Sequence, residues 1–341
     1  MKYCVKTGLM FAALMTSTGL WAQQATACLD QFYQQVPPVL QKESLKKDTD
    51  ALCFNGFNAM HSGVSKTSLW VAEALTPERL SQKIPRKDSF HEEDRVSEKN
   101  RATLADYRGS GYDRGHMAPN ADMPNSAAQH DSFSLANMVP QTPQNNQQVW
   151  RELEEATRAL VTKQKQDVYV LTGPIYAGKN IKTVGKNKVL VPTSTYKAIY
   201  IPKTGVIGAY VVNNDMKVEK PQVELLSVCA LEDQIGINLF PQLSTEQKRV
   251  LYDLPLTGSA VKNNQKIAQL KTDSTSKCAP EVKKSDIEAL QVQFQPDATY
   301  IANQGSEDKK KETVEENSSS ESSVWVNILK AILQFIMQLF K

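Results

Sequence analysis

The chain lacks the residue patterns that build several common kinds of site. Its five cysteines include no CxxC pair, which argues against a zinc site made of thiolates. Forty basic residues stand against 37 acidic ones, so the net charge does not demand a polyanionic partner. Histidines are scarce, and the four are His61, His91, His116 and His130.

A regular alternation of strands and helices is also missing. Residues 167–175, 188–201 and 205–214 are rich in β-branched side chains and read as strands. Residues 149–164 repeat apolar side chains near helical spacing. Residues 82–101 are heavily charged and predict an exposed loop or a solvated helix. The mixture favours an α+β fold over a doubly wound sheet.

The N-terminus is typical of a secretory signal peptide over residues 1–22. Two lysines and no acid are followed by a short apolar run with small residues behind it. We place cleavage after Ala22, with the Ala-Thr-Ala before Cys28 as the alternative. A lipid anchor on that cysteine is disfavoured, because Ala25 stands where leucine would be expected. The pattern predicts an exported protein, periplasmic or secreted, whose folded domain covers residues 23–302.

Export makes disulfides the expected state of the cysteines. Cys4 leaves with the signal, and the four cysteines that remain allow three pairings. We favour the local pairs Cys28–Cys53 and Cys229–Cys278 over reduced, buried thiols.

Two C-terminal segments differ sharply in composition. Residues 303–323 contain no aromatic residue and one aliphatic residue, Val314, which predicts a disordered linker. Residues 324–341 are apolar except for one narrow polar stripe, which predicts an amphipathic helix. The 17 residues from Val324 to Phe340 would span about 25 Å, short of a bilayer core of about 30 Å. A membrane surface or a protein partner is favoured, and packing against the domain is the alternative.

The stretch YDRGHMAPNADM (112–123) concentrates groups that can carry chemistry. His116 follows Arg114 by two residues, and a neutral histidine can remove a proton from water. Downstream, Asn146 stands where the predicted helix begins, and Glu154 lies about two turns later, roughly 80° around the helix. An amide oxygen and a carboxylate suit a hard cation such as Mg²⁺. Together these residues predict metal-dependent hydrolysis of a phosphodiester.

Each of these residues also has a simpler interpretation. A lone histidine in a polar turn is more often structural than catalytic. Asn146 alone reads as a helix cap and Glu154 as a solvated helix residue. Arg114 could equally pair with Asp113 or Asp122.

The sequence resembles the DNA/RNA non-specific endonuclease family, the ββα-metal nucleases with secreted bacterial and mitochondrial members. The resemblance rests on DRGH (113–116) and on NMVPQTPQNNQQVWRELE (137–154). Three further blocks extend it, namely TGPIY (172–176), VPTSTYKAI (191–199) and LEDQIGINLFP (231–241). It covers residues from about 50 to 245.

This resemblance implies a ββα-metal core around a mainly antiparallel sheet. By position, His116 would be the general base and Arg114 would support the phosphate. Asn146 would bind Mg²⁺ directly, with Mn²⁺ as an alternative ion, and Glu154 would hold the water ligands of the ion. Asn137 and Gln141 would be catalytic-site residues that line the site.

One position departs from the family pattern. Family members commonly place an arginine just before the tryptophan of the WVA-like stretch, where it contacts the scissile phosphate. This chain has SKTSLWVA there, so Lys66 is the nearest cation and is the expected substitute. A lysine is a point charge rather than a bidentate fork, so rate or substrate preference would differ.

These observations predict an exported, Mg²⁺-dependent endonuclease that acts on DNA and RNA without sequence preference. Two other classes stay open. One is a catalytically silent nucleic-acid-binding protein on the same fold. The other is an envelope-associated interaction protein that acts through residues 324–341. A homodimer is a candidate assembly, because many family members are dimers.

Overall fold

The computed structural model describes residues 28–280 and 282–294. The predicted signal peptide, the predicted linker over 303–323 and the predicted helix over 324–341 lie outside these residues. Within the described ranges, no helix combines the length and the apolar character that crossing a bilayer requires.

The described chain contains fifteen strands, most of them short. In chain order they are β1 Val39–Leu40, β2 Thr49–Cys53, β3 Asn58–Ser62, β4 Thr67–Leu75, β5 Asp113–His116, β6 Met138–Gln141, β7 Val168–Ile175, β8 Thr183–Val184, β9 Val189–Leu190, β10 Ser194–Ile201, β11 Val206–Asn213, β12 Val223–Leu226, β13 Ile237–Asn238, β14 Val250–Tyr252 and β15 Gln269–Thr272. Seven of them form one antiparallel sheet in the order β12-β11-β10-β7-β4-β3-β2. The predicted α+β fold around a mainly antiparallel sheet is confirmed.

Helices fill the connections between these strands. They are α1 Glu43–Lys46, α2 Leu104–Tyr107, α3 Ser126–Ser132, α4 Arg151–Thr162, α5 Val228–Ile235, α6 Thr245–Lys248, α7 Gly258–Lys262 and α8 Lys284–Gln293. A π-helical segment, Asn145–Trp150, runs directly into α4. The predicted helix over 149–164 and the predicted strands over 167–175 and 205–214 match α4, β7 and β11 closely.

The sheet is covered on both faces because its strands are apolar on both sides. Val168 and Leu75 pack with Leu153 and Leu160 of α4 on one face. Alternate residues of β4 point the opposite way, and Trp70 contacts the rings of Phe32 and Phe294 there. The result is a sheet between two layers of helices and loops.

Both predicted disulfides are confirmed. Cys28–Cys53 joins the start of the described chain to the end of β2. Cys229–Cys278 joins α5 to the segment that follows β15. The first bond thus fastens the start of the described chain to the edge strand of the sheet, and the second fastens α5 to a later segment.

The expectation of a solvated segment over residues 82–101 is only partly correct. The segment is mostly irregular, but Val96 and Glu93 are buried in it. His91 forms a parallel bridge with Ser134, and the backbone N–H of Leu135 donates to the carbonyl of His91. These contacts hold the segment against the region that carries β5 and β6.

Candidate active site

The strands β5 and β6 pair antiparallel and lead into the π-helical segment and α4, which is a ββα arrangement. A cleft of about 420 Å³ opens where β5 meets the N-terminal end of this helix. Its walls are formed by Arg86, Asp88, Phe90, Asp113, Arg114, His116, Pro119, Asn120, Asn146, Gln147, Arg151 and Glu154. The four residues with the clearest predicted roles therefore meet in one place.

His116 lies at the C-terminal end of β5, opposite Met138 of β6. Its ring meets Phe133 edge-on, with 5.1 Å between centroids, and lies 5.8 Å from Phe90. No donor or acceptor among the described residues reaches its buried Nε2 atom. Burial, together with the charges of nearby arginines, lowers the pKa of His116 to about 3. The imidazole is therefore neutral at pH 7 and has a lone pair to accept a proton.

Gly115, the residue before His116 in β5, is required because no side chain fits at that position. A Cβ there would overlap the side chain of Gln141, the residue that closes β6. Gln141 is fully buried, and its Nε2 donates to Oδ1 of Asn145 at 3.0 Å. Gln141 thus fills the space under β5 and does not line the cleft, contrary to the expectation for it.

Asn137 does not line the cleft either. Its side chain is fully buried, and its Oδ1 accepts from the backbone N–H of Ala118 at 2.9 Å. Its Nδ2 donates to the carbonyls of Ala118 and Ser132, both at 2.8 Å. Asn137 therefore holds the backbone that follows His116 in place through these hydrogen bonds, which we call its bracing role.

Asn146 is oriented by a carboxylate on the neighbouring strand. Its Nδ2 donates to Oδ2 of Asp113 at 2.9 Å, and Nε2 of Gln147 donates to the same oxygen at 2.8 Å. Because the amide nitrogen is engaged, the amide oxygen of Asn146 is the atom left to bind a ligand. A π-helical segment at this position is typical of functional sites.

Glu154 faces the cleft one turn before Arg158 on α4. Burial raises the pKa of Glu154 to about 7, and the charge of Arg158 opposes that shift. Arg158 itself pairs with Asp122 at 3.0 Å, and Nε of Arg79 donates to the carbonyl of Asp122 at 2.8 Å. Arg158, Asp122 and Arg79 thus form a connected set of charged groups next to Glu154.

Two arginines supply fixed positive charge. The guanidinium of Arg114 lies 3.8 Å from the ring centroid of Phe90, a cation–π contact that fixes its direction. Arg86 lies 5.5 Å from the ring centroid of Phe133 and pairs with Asp88 at 2.6 Å. Arg86 was not among the site residues predicted from the sequence. Phe90 stands within the heavily charged residues 82–101. An aromatic side chain in such a segment indicates that one face of the segment is buried, and this was the signal that could have placed the segment next to the site.

Lys66, the expected substitute for an arginine, does not reach the cleft. It lies in the turn between β3 and β4, with φ of 58°, and its Nζ donates to the carbonyl of Lys99. The structure brings Arg86 to the cleft instead. The expectation that Lys66 lines this cleft is therefore wrong.

The donor set of the cleft fits a hard divalent cation. Its walls carry three arginines and three acidic residues, so their formal charges cancel. A divalent ion would leave a positive excess suited to a phosphodiester. The described residues contain no cluster of three or more His, Cys, Asp or Glu side chains that could hold a metal. An ion here would thus have few protein ligands, as is usual for Mg²⁺.

Comparisons with known proteins agree with this geometry. A sequence profile of DNA/RNA non-specific endonucleases matches residues 36–246. Human mitochondrial endonuclease G is 37% identical over 195 residues, which cover 52% of this chain and 65% of that protein. Nuclease C1 of Cunninghamella echinulata var. echinulata is 32% identical over 232 residues, 60% of this chain and 89% of that protein. The chain thus spans slightly less than two thirds of its mitochondrial relative.

A solved structure shares the fold. It is the crystal structure of the EndoG/EndoGI complex, described as showing the mechanism of EndoG inhibition. The TM-score is 0.52 at 28% sequence identity, and the alignment covers 58% of this chain and 88% of that one.

Proposed function

Because the chain belongs to the DNA/RNA non-specific endonuclease family, we propose that it is a metal-dependent endonuclease that hydrolyses phosphodiester bonds in DNA and RNA. The observation that carries this proposal is one cleft that holds His116, Arg114, Asn146 and Glu154. The cleft thus combines a base, a fixed cation and two oxygen donors.

His116 is the proposed general base. Its neutral imidazole and its unpartnered Nε2 allow it to take a proton from water as the water attacks phosphorus. Arg114 and Arg86 place positive charge where negative charge develops on the phosphoryl oxygens. A bound phosphate also offsets these two charges, and this raises the proton affinity of His116 when substrate is present.

Asn146 and Glu154 are the side chains that would hold the ion, with Mg²⁺ as the proposed metal and Mn²⁺ as the alternative. When bound, a divalent cation neutralises charge on the phosphoryl and leaving oxygens. Asp113 keeps the amide of Asn146 turned for this task. Asn137 and Gln141 act through the backbone and packing around His116.

Indifference to nucleotide sequence follows from such a site. Contacts to backbone phosphates carry no base information, and the cleft walls are formed mainly by charged and polar side chains. Activity on both sugars is proposed from the family alone.

Export to the periplasm or the exterior is a further part of the proposal. It rests on the signal-like residues 1–22 and on two disulfides, which persist in oxidising compartments.

Binding of residues 324–341 to a membrane surface or a protein partner and the formation of a homodimer are also proposed. Flotation of the full chain with liposomes, beside a version that ends at Ala302, tests the membrane part. Equal flotation of the two would remove it.

The direct test of function uses plasmid DNA and RNA, with Mg²⁺ or with a chelator. The wild-type protein should degrade both substrates only with the ion, and His116→Ala should leave them intact. His130→Ala is the matched control, since His130 lies on α3 and is absent from the cleft walls. Binding without cleavage by the wild type would favour the silent nucleic-acid-binding class. Equal cleavage by wild type and His116→Ala would refute the role given to this histidine.

A further inference from the structure

A short hairpin, β8–β9 with the segment before it, carries an unbalanced run of lysines. Residues 176–190 contain four lysines and no acidic residue: Lys179, Lys182, Lys186 and Lys188. All four side chains are exposed. Among the described residues, the ion pairs of lysines involve Lys46, Lys248 and Lys284 instead. We call residues 176–190 the lysine hairpin.

The lysine hairpin is held in a defined position. The backbone N–H and Nδ2 of Asn187 donate to the two carboxylate oxygens of Asp106, at 2.9 and 2.8 Å. Gly185 has φ of 68°, and a Cβ there would overlap Asp106, so only glycine permits this approach. These bonds occupy both oxygens of the Asp106 carboxylate and lower its pKa, while the four lysine side chains stay exposed to solvent.

Apolar contacts place the hairpin on the flank of the cleft. Val184 and Val189 belong to a buried cluster that includes Met138 of β6. Phe90 and Tyr112 pack against the same cluster, and Phe90 is also a wall of the cleft. The hairpin and the cleft are therefore two sides of one packed unit.

The chain itself limits their separation. Asp106, which holds the turn of the hairpin, precedes Asp113 of the cleft wall by seven residues. Seven residues span at most about 25 Å when fully extended. Along a duplex that rises 3.4 Å per base pair, this distance corresponds to about seven base pairs. Exposed Arg108 lies between the two positions.

Lys66 lies beside the same surface. The backbone N–H of Leu190 in β9 donates to the carbonyl of Ser65 at 3.0 Å. The cation that fails to reach the cleft thus stands next to the hairpin and extends its positive surface.

We propose that the lysine hairpin binds backbone phosphates of the nucleic-acid strand that flanks the scissile bond, up to about seven nucleotides away. Lysines on flexible stems act as point charges, so these contacts add affinity without sequence preference. The proposal rests on the proposed function, and it adds a second substrate-binding surface outside the cleft.

The test compares two quadruple variants of the full-length protein. One carries Lys→Gln at 179, 182, 186 and 188, and the control carries Lys→Gln at the exposed positions 203, 266, 271 and 277. KM and kcat are measured on a duplex of about 30 base pairs and on a single-stranded tetranucleotide, between about 50 and 200 mM salt. Both variants lose the same formal charge, so a difference between them reports position.

The hairpin variant should raise KM for the long duplex at least tenfold at low salt, with kcat unchanged. Its slope of log KM against log salt should fall by up to about 3.6, since each lost phosphate contact removes about 0.9. Both variants should stay close to the wild type on the tetranucleotide, because it offers at most two phosphates besides the scissile one.

Equal KM and equal salt slope for the two variants would overturn the inference. A matching loss on the tetranucleotide would also overturn it, because the effect would then lie in the cleft. If the wild type cleaves neither substrate with Mg²⁺ present, the proposed function fails instead. The two failures are thus distinguishable.

Discussion

Replacement of Asn137 by alanine would test whether this side chain braces the backbone next to His116 or takes part in the chemistry itself. The side chain makes three buried hydrogen bonds to backbone groups, of 2.8–2.9 Å, and none of its atoms lines the cleft. Alanine would leave the N–H of Ala118 and the carbonyls of Ala118 and Ser132 without these partners.

The expected cost follows from those three groups. An unsatisfied buried donor costs about 1–3 kcal/mol, and a carbonyl with a second lone pair costs less. The free energy of unfolding should therefore fall by about 3–5 kcal/mol, a large part of the 5–15 kcal/mol typical of a domain. The melting temperature should fall by about 10 °C.

Catalysis should suffer as well, because Ala118 lies two residues after His116. A displacement of about 1 Å in a catalytic group can cost about 100-fold in rate. At a temperature where the variant is folded, kcat on plasmid DNA should fall about 10- to 100-fold.

Denaturant unfolding and steady-state kinetics together provide the assay. Asn125→Ala is the matched control, since it removes one capping bond of 2.8 Å to Ala128 and should cost about 1 kcal/mol. Asn137→Asp should be worse than alanine, because it turns a second acceptor towards two carbonyls. A stability loss no larger than that of the control, with a large loss of kcat, would refute the bracing role.

Three other predictions follow from buried charges and cross-links. Because burial raises the pKa of Glu154 to about 7, calorimetric Mg²⁺ affinity should fall about tenfold per pH unit below that value. Glu154→Gln should bind weakly at all pH values, and a pH-independent wild type would contradict this reasoning. Lys248→Met should lower the free energy of unfolding by about 3–5 kcal/mol, because the Glu232 carboxylate, 3.1 Å from Nζ, loses its cation. Adding Glu232→Gln, which removes the charge but keeps an oxygen to accept from the backbone N–H of Leu239, should recover part of that loss, and no recovery would argue against the charge explanation. Reduction of Cys28–Cys53 and Cys229–Cys278, which close loops of 25 and 49 residues, should cost about 3.5 and about 4 kcal/mol. An unchanged melting temperature in reductant would disprove that estimate.

Local patterns were sufficient for much of this fold. Strands β7 and β11 and helix α4 follow from β-branched runs and helical apolar spacing, which are properties of short segments. The disulfides could be inferred because each joins cysteines that are neighbours in the order along the chain. Arg114 and His116 share one strand of four residues, so their proximity needed no tertiary information.

Roles that depend on side-chain direction were harder to infer. Asn137 and Gln141 stand in the motif region, yet both turn inwards and brace β5 and β6. A sequence motif records that a residue type is needed, but an amide serves equally well as a ligand or as a partner for buried backbone groups. Only the packing around each amide distinguishes these uses.

By itself, the sequence indicated several of the strands and the main helix, the disulfide pairs, and the candidates for the base and the metal donors. Only the tertiary structure decided which positively charged side chains lie in the cleft beside these candidates. Arg86 reaches the cleft because its segment bonds to residues about 43 positions later, through His91 and Ser134. Lys66 lies in a turn between β3 and β4, with positive φ, and is not one of the residues that form the cleft walls. Loop paths of this kind are set by contacts between distant segments, and no local pattern encodes them.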